Sequence, residues 1–145
     1  MTDYSELLDA RRIERGRFSR RQVDDRLDLA TRDHKTAGEI AGTSPDWAFN
    51  IAYNAMHQAG RAFLLHCGYR TVGEGHHATV VRFLELALGA EHGDMLAVMD
   101  RMRRKRNRAT YDSVGTISRK EVREALAAAR EFVAGVVEHV CPRRR

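Results

Sequence analysis

The residues whose types and spacing could do chemistry are concentrated in one stretch, MDRMRRKRNRATYD, at positions 99–112. Here the helical stripe of Met95, Val98, Met99 and Met102 continues through Arg106 to Ala109, so an arginine occupies the middle of an apolar stripe. At about 100° per residue Arg106 projects within about 20° of Met95, whereas Arg104 and Arg108 point well away and read as surface charge. Burying a guanidinium is costly unless something answers its charge and its donors. Arg106 is therefore expected to meet a carboxylate that ties two helices together, backbone carbonyls, a subunit interface, or a phosphate in a cleft.

Other candidate groups carry less pattern. Asn50, Asn54, His57 and Arg61 form one polar strip on an otherwise apolar segment, and His34 falls within the apolar face of another. His76 and His77 open a helix after the glycines of GEGHHA, a stretch that lacks the Gly-Lys-Ser/Thr ending of a phosphate loop and reads as a turn with a helix start. With His34, His57, His66 and His92 they raise the question of a metal site. No histidine has another at i+3 or i+4, the spacing by which helical bundles usually present ligands, so neither metal nor cofactor is expected. Cys67 and Cys141 form no CxxC pair and are too few for a disulfide framework.

The elements that must position these groups read as helices throughout, with no segment that alternates apolar and polar residues for long. A short helix from about Tyr4 to Ile13 precedes one from about Arg20 to Ala41, whose inner face is Val23, Leu27, Ala30, Ala37 and Ala41. Ser44 as N-cap and Pro45 in the first turn start a central helix that runs to about Cys67, roughly 35 Å at 1.5 Å per residue. Trp47, Phe49, Ile51, Met56, Phe63, Leu65 and a series of alanines cover most of its circumference, and the small residues let neighbouring helices approach closely. A helix from His76 to Leu88 follows, then one from about Asp94 into the basic stretch. The last is capped by Ser118 with Glu121 and carries Val122, Leu126, Ala129, Val133, Val136 and Val140 on one stripe. The expected fold is all-α: an antiparallel up-and-down bundle of five or six helices.

At this point the chain resembles a known family. RRKRNRATYD looks like the signature helix of HEPN domains, and AYNAMHQAGRAFLLHCGYR followed by GHHATVVRFLELAL is similar to the matching part of several bacterial HEPN proteins. The resemblance spans roughly residues 44–140 and implies a helical bundle that forms a homodimer. Many HEPN proteins are metal-independent ribonucleases, often toxins or antiviral effectors, whose motif joins an arginine, a polar residue and a histidine. Self-cleavage of RNA through its 2′-hydroxyl needs proton transfer near neutral pH and a cation for the charge developing on phosphate, which histidine and arginine supply. By the resemblance, Arg106 matches the arginine and Asn107 the polar residue. The histidine window at 111–113 reads Tyr, Asp, Ser.

A phenol is a poor general base at pH 7, and loss of general acid–base catalysis costs roughly 10² to 10⁴ in rate. With Tyr111 in the histidine's place, the resemblance implies a module that binds RNA or a nucleotide, or a partner protein, and cleaves weakly or not at all. Its cleft would centre on Arg106, with Arg103, Arg104, Arg108 and Arg61 as further phosphate-binding cations. Two alternatives stay open: an active ribonuclease in which Asp112 or His57 serves as base, and a purely structural helical dimer. Some HEPN proteins pair with a nucleotidyltransferase antitoxin that modifies a tyrosine near the motif, so such a partner is a further implication. Tyr111 occupies the histidine's own position and is not expected to be modified.

Composition sets the frame for all of this. The chain has 145 residues, 43% hydrophobic and 31% charged, with a formal net charge of +5. That suits one domain over 1–145, with an N-terminal helix and turn at 1–17 and a basic tail at 142–145, and not a disordered or fibrous chain. The basic residues cluster at Arg11–Arg21, Arg101–Arg108 and Arg143–Arg145, which attracts phosphates or acidic partners unless they are merely solvated faces. No apolar run approaches the roughly 20 residues of a membrane span and no signal-peptide pattern opens the chain, so a cytoplasmic protein with no membrane association is expected.

Overall fold

The computed structural model describes residues 2–111 and 117–140, with the side chains of 107–111 outside that description. Six α-helices dominate: α1 (Ser5–Asp9), α2 (Arg20–Ile40), α3 (Pro45–His66), α4 (His76–Leu88), α5 (Gly93–Tyr111) and α6 (Arg119–Val140). A 3-10 turn, Ala90–His92, leads from α4 into α5. The helix α3 lies at the centre and packs against α2, α4, α5 and α6. Its alanines Ala48, Ala52, Ala55, Ala59 and Ala62 are fully buried, which is how four neighbours fit around one helix. The all-helical bundle expected from the sequence is the fold.

Local chemistry sets the helix ends. Ser19 and Gln22 form a reciprocal capping box on α2, with the Gln22 amide donating to Ser19 Oγ at 3.1 Å and the Ser19 amide donating to Gln22 Oε1 at 2.8 Å. Ser118 and Glu121 do the same for α6, at 3.1 Å and 3.0 Å, as their spacing predicts. Glu121 also takes an ion pair from Lys105, so the cap of α6 doubles as a tie to α5. Ser44 precedes α3 without a side-chain cap bond.

The sequence reading found no strands, and the structure adds two short ones, β1 (Ile13–Arg15) and β2 (Tyr69–Thr71), paired antiparallel with Ile13 opposite Thr71. Three residues are too few to show an alternating pattern, and the pairing joins segments far apart in sequence. The expected first helix accordingly stops at Asp9, and Ile13 belongs to β1. Two residues of the helical faces also sit elsewhere than the periodicity suggests. Trp47 is 60% exposed, and on α2 the buried polar residue is Asp33, while His34 is half-buried. Asp33 is satisfied by Asn54 Nδ2 at 2.7 Å and by the Arg32 guanidinium at 2.9 Å, so Asn54 of the polar strip on α3 serves the α2–α3 contact.

Candidate anion-binding site at the centre of the bundle

On α3, Tyr53, His57 and Arg61 are spaced four residues apart and therefore lie in one row along the helix. Tyr53 is fully buried and His57 is 4% exposed. The start of α4 faces this row. Gly75 adopts a left-handed φ of 77°, which a glycine accepts without strain, and turns the chain from β2 into α4. The next two histidines then diverge. His76 Nδ1 bonds Thr71 Oγ1 of β2 at 2.8 Å, and His77 Nδ1 bonds the Tyr53 hydroxyl at 2.8 Å.

The rings of His57 and His77 stack with centroids 4.0 Å apart and planes 23° from parallel. This contact needs α3 and α4 to approach closely one turn further on. Gly60 provides that approach: a Cβ there would come within 2.6 Å of Val80 Cγ1. Stacked imidazoles at this distance cannot both carry charge in a buried setting. Burial, then His77 and the cations Arg61, Arg106 and Arg26, push His57 down to about 2. Burial, then Arg106, His76, Arg103 and Arg61, bring His77 to about 4. Both rings are neutral at pH 7. Burial likewise holds the Tyr53 phenol protonated, outweighing the opposite pull of Arg106 and Arg103.

From α5, the Arg106 guanidinium carbon lies 5.4 Å from the centre of the Tyr53 ring. Its Nε is buried without a hydrogen-bond partner, and among the described residues no carboxylate pairs with Arg106. The face of an aromatic ring attracts a cation but leaves its N–H donors free. The neighbouring cations differ. Arg103 and Arg104 both reach Asp100 on their own helix, at 2.9 Å and 2.7 Å, and Lys105 takes Glu121. Asp100 thus neutralises part of the basic stretch, while Arg106 points inward with no carboxylate paired to it among the described residues.

The sequence-derived candidates therefore divide. Arg106 and His57 are brought to one cluster through Tyr53 and His77. Arg61 sits a turn beyond His57 and faces Arg26 of α2. Arg103 and Arg104 flank the cluster while engaged with Asp100. The side chains of Asn107, Arg108 and Tyr111, together with Asp112 and the basic tail, lie outside the described residues. Sequence reasoning missed Tyr53 as a site residue and gave His77 no role beside Arg106. The row of Tyr53, His57 and Arg61 was a signal for the first. No local pattern brings His77 to them.

Among the described residues no group of three or more histidine, cysteine or carboxylate side chains is placed to hold a metal ion. What the cluster offers is a cation whose buried Nε has no partner among the described residues, a protonated phenol and two neutral imidazoles. An oxyanion would supply what Arg106 lacks.

The helical fold agrees with comparison to known families. Residues 21–140 match the HEPN domain family, and the chain belongs to it. HEPN domains are in general RNA-related or nucleotide-interacting, and they often dimerise. No curated protein matches the chain significantly. No helix among the described residues is long and apolar enough to cross a membrane.

Proposed function

We propose that this chain is a HEPN module that binds RNA or a nucleotide through a phosphate group on Arg106, and that it cleaves RNA weakly or not at all. The observation that supports this is the state of Arg106: held over Tyr53, its Nε buried and unpartnered, with no carboxylate paired to it among the described residues. The weak-catalysis part rests on the two histidines. A base whose conjugate acid titrates near 4 is neutral at pH 7 but has little driving force to take a proton, and Brønsted behaviour makes it a poor general base.

Single-stranded RNA and a nucleoside diphosphate are the probes. Wild-type affinity is expected to fall steeply with salt and to drop on the order of tenfold or more in Arg106→Ala, because a charge-assisted contact is lost. Affinity that is independent of salt and unchanged in Arg106→Ala would overturn the reading. A second reading, a metal-independent ribonuclease, draws only on the position of the His57 and His77 rings beside Arg106, where an imidazole stands next to the cation although its basicity is low. Its test is RNA cleavage in excess chelator that disappears in both Arg106→Ala and His77→Asn. Homodimerisation, a single domain over 1–145 and a nucleotidyltransferase partner belong to the same proposal. They are checked by sedimentation, limited proteolysis and co-purification.

A further inference from the structure

A second cationic pair lies on the other side of His57. Arg26 of α2 and Arg61 of α3 line one surface cavity of about 560 Å³, whose walls include the apolar Phe18 and Leu65. Both arginines are half-buried. Arg26 Nη1 donates to the neutral Gln58 Oε1 at 2.9 Å, and among the described residues no carboxylate pairs with either guanidinium. The cavity wall also carries Arg70, answered by Glu14 across the β1–β2 pair, and one exposed acid, Asp25, which offsets part of the cationic charge and leaves Arg26 and Arg61 in excess of it. Burial and then the charge of Arg26 make the cationic form of Arg61 harder to keep, as two like charges facing one cavity require. The same two cations depress His57, so their field reaches the central cluster.

Two forked donors on one open cavity, neither paired to a carboxylate among the described residues, match a phosphate group, which accepts bidentate bonds from each. We propose that Arg26 and Arg61 form a second phosphate subsite, separated from the Arg106 subsite by His57. The phosphate comes either from an RNA backbone, with Arg106 and Arg61 holding different phosphates of one strand, or from a free nucleotide. The ligand class rests on the RNA-or-nucleotide reading above, whereas the geometry is independent of Arg106.

The experiment measures three probes on the full chain: a labelled single-stranded RNA by anisotropy, and ADP and inorganic phosphate by calorimetry. The variants are Arg26→Gln, Arg61→Gln and Arg106→Ala. The exposed Arg130→Gln on α6 is the control, since it removes the same unit of charge away from the cavity. Arg26→Gln and Arg61→Gln are each expected to weaken at least one probe on the order of tenfold, against less than about twofold for Arg130→Gln. Their melting temperatures should stay level or rise, because a like-charge contact is relieved. Loss confined to RNA assigns the phosphate to a backbone, and loss that includes ADP assigns it to a nucleotide. Either outcome supports the subsite.

Arg26→Gln and Arg61→Gln behaving as Arg130→Gln on every probe overturns it, as does a wild type that binds none of them. Binding lost in Arg106→Ala but kept in Arg61→Gln defeats the second subsite alone. Binding that depends on Arg61 and ignores Arg106 keeps the subsite and defeats the Arg106 reading.

Discussion

His57 and His77 stay uncharged because they are buried among several cations, with no counter-ion to an imidazolium among the described residues. That has a consequence for stability, and the sign follows from proton binding. In the unfolded chain both rings titrate near 6.5, whereas in the folded chain they titrate near 2 and near 4. Below about pH 6.5 the unfolded state therefore binds more protons, and folding weakens as pH falls towards 4. Each proton of difference is worth about 1.4 kcal/mol per pH unit. The stabilisation is complete above pH 6.5.

Carboxylates held low, such as Glu6 and Glu121, contribute to acid loss only near and below their ordinary 4.5. The slope between pH 6.5 and 5 therefore belongs to histidines, with His66, also depressed by burial, as a lesser contributor. His57→Leu should keep stability near pH 7, since it removes an unpartnered buried nitrogen, and should flatten that slope in thermal melts. An unchanged slope would mean that His57 is protonated in the folded chain. Arg106 was legible in the sequence at this scale, because a charge inside an apolar stripe is visible in one helix. The Tyr53–His77 hydrogen bond was not, because it joins two helices whose approach no periodicity specifies.

Among the elements, the α3–α4 contact does most to shape the site, and Gly60 is its pivot. Adding one methyl group there would press into Val80 Cγ1, which is fully buried and has no room to move away. Overpacking of this kind costs about 1–3 kcal/mol, against a gain of about 1 kcal/mol for alanine over glycine in a helix. Gly60→Ala is thus expected to lower the melting temperature and to separate the stacked histidines, read as a His57 or His77 titration that moves up towards 6.5. A melting temperature equal to or above wild type would show that the helices have slack. The helices from α2 onward were legible to within a residue or two, because Pro45, the Ser118–Glu121 cap and the apolar stripes are local signals, whereas the first was drawn four residues too long. The β1–β2 pair was hidden, since its few backbone bonds depend on a meeting of distant segments.

For the whole molecule, the N-terminal segment is part of the core although the family match begins at residue 21. Ile13 and Leu7 are 2% and 5% exposed, Tyr4 stacks on Phe83 with centroids 4.2 Å apart, and Glu6 takes both forks of Arg82 at 2.8 Å. Ile13→Ala is expected to cost about 2–5 kcal/mol in a denaturant titration. No loss of stability would make the segment an appendage. Through β2, Thr71 and His76, this segment also supports the start of α4, which presents His77.

The net charge of +5 adds a long-range attraction for nucleic acid, but it acts without regard to position and cannot distinguish Arg106 from any exposed arginine. The decisive measurement is therefore the binding and cleavage of a labelled single-stranded RNA by wild type and Arg106→Ala, in excess EDTA and across a series of salt concentrations. Intact RNA bound with steep salt dependence by the wild type, and on the order of tenfold or more weakly by a folded Arg106→Ala, is the result expected of an anion-binding Arg106. Equal affinity in the two proteins, or Arg106-dependent cleavage at a rapid rate, would contradict it.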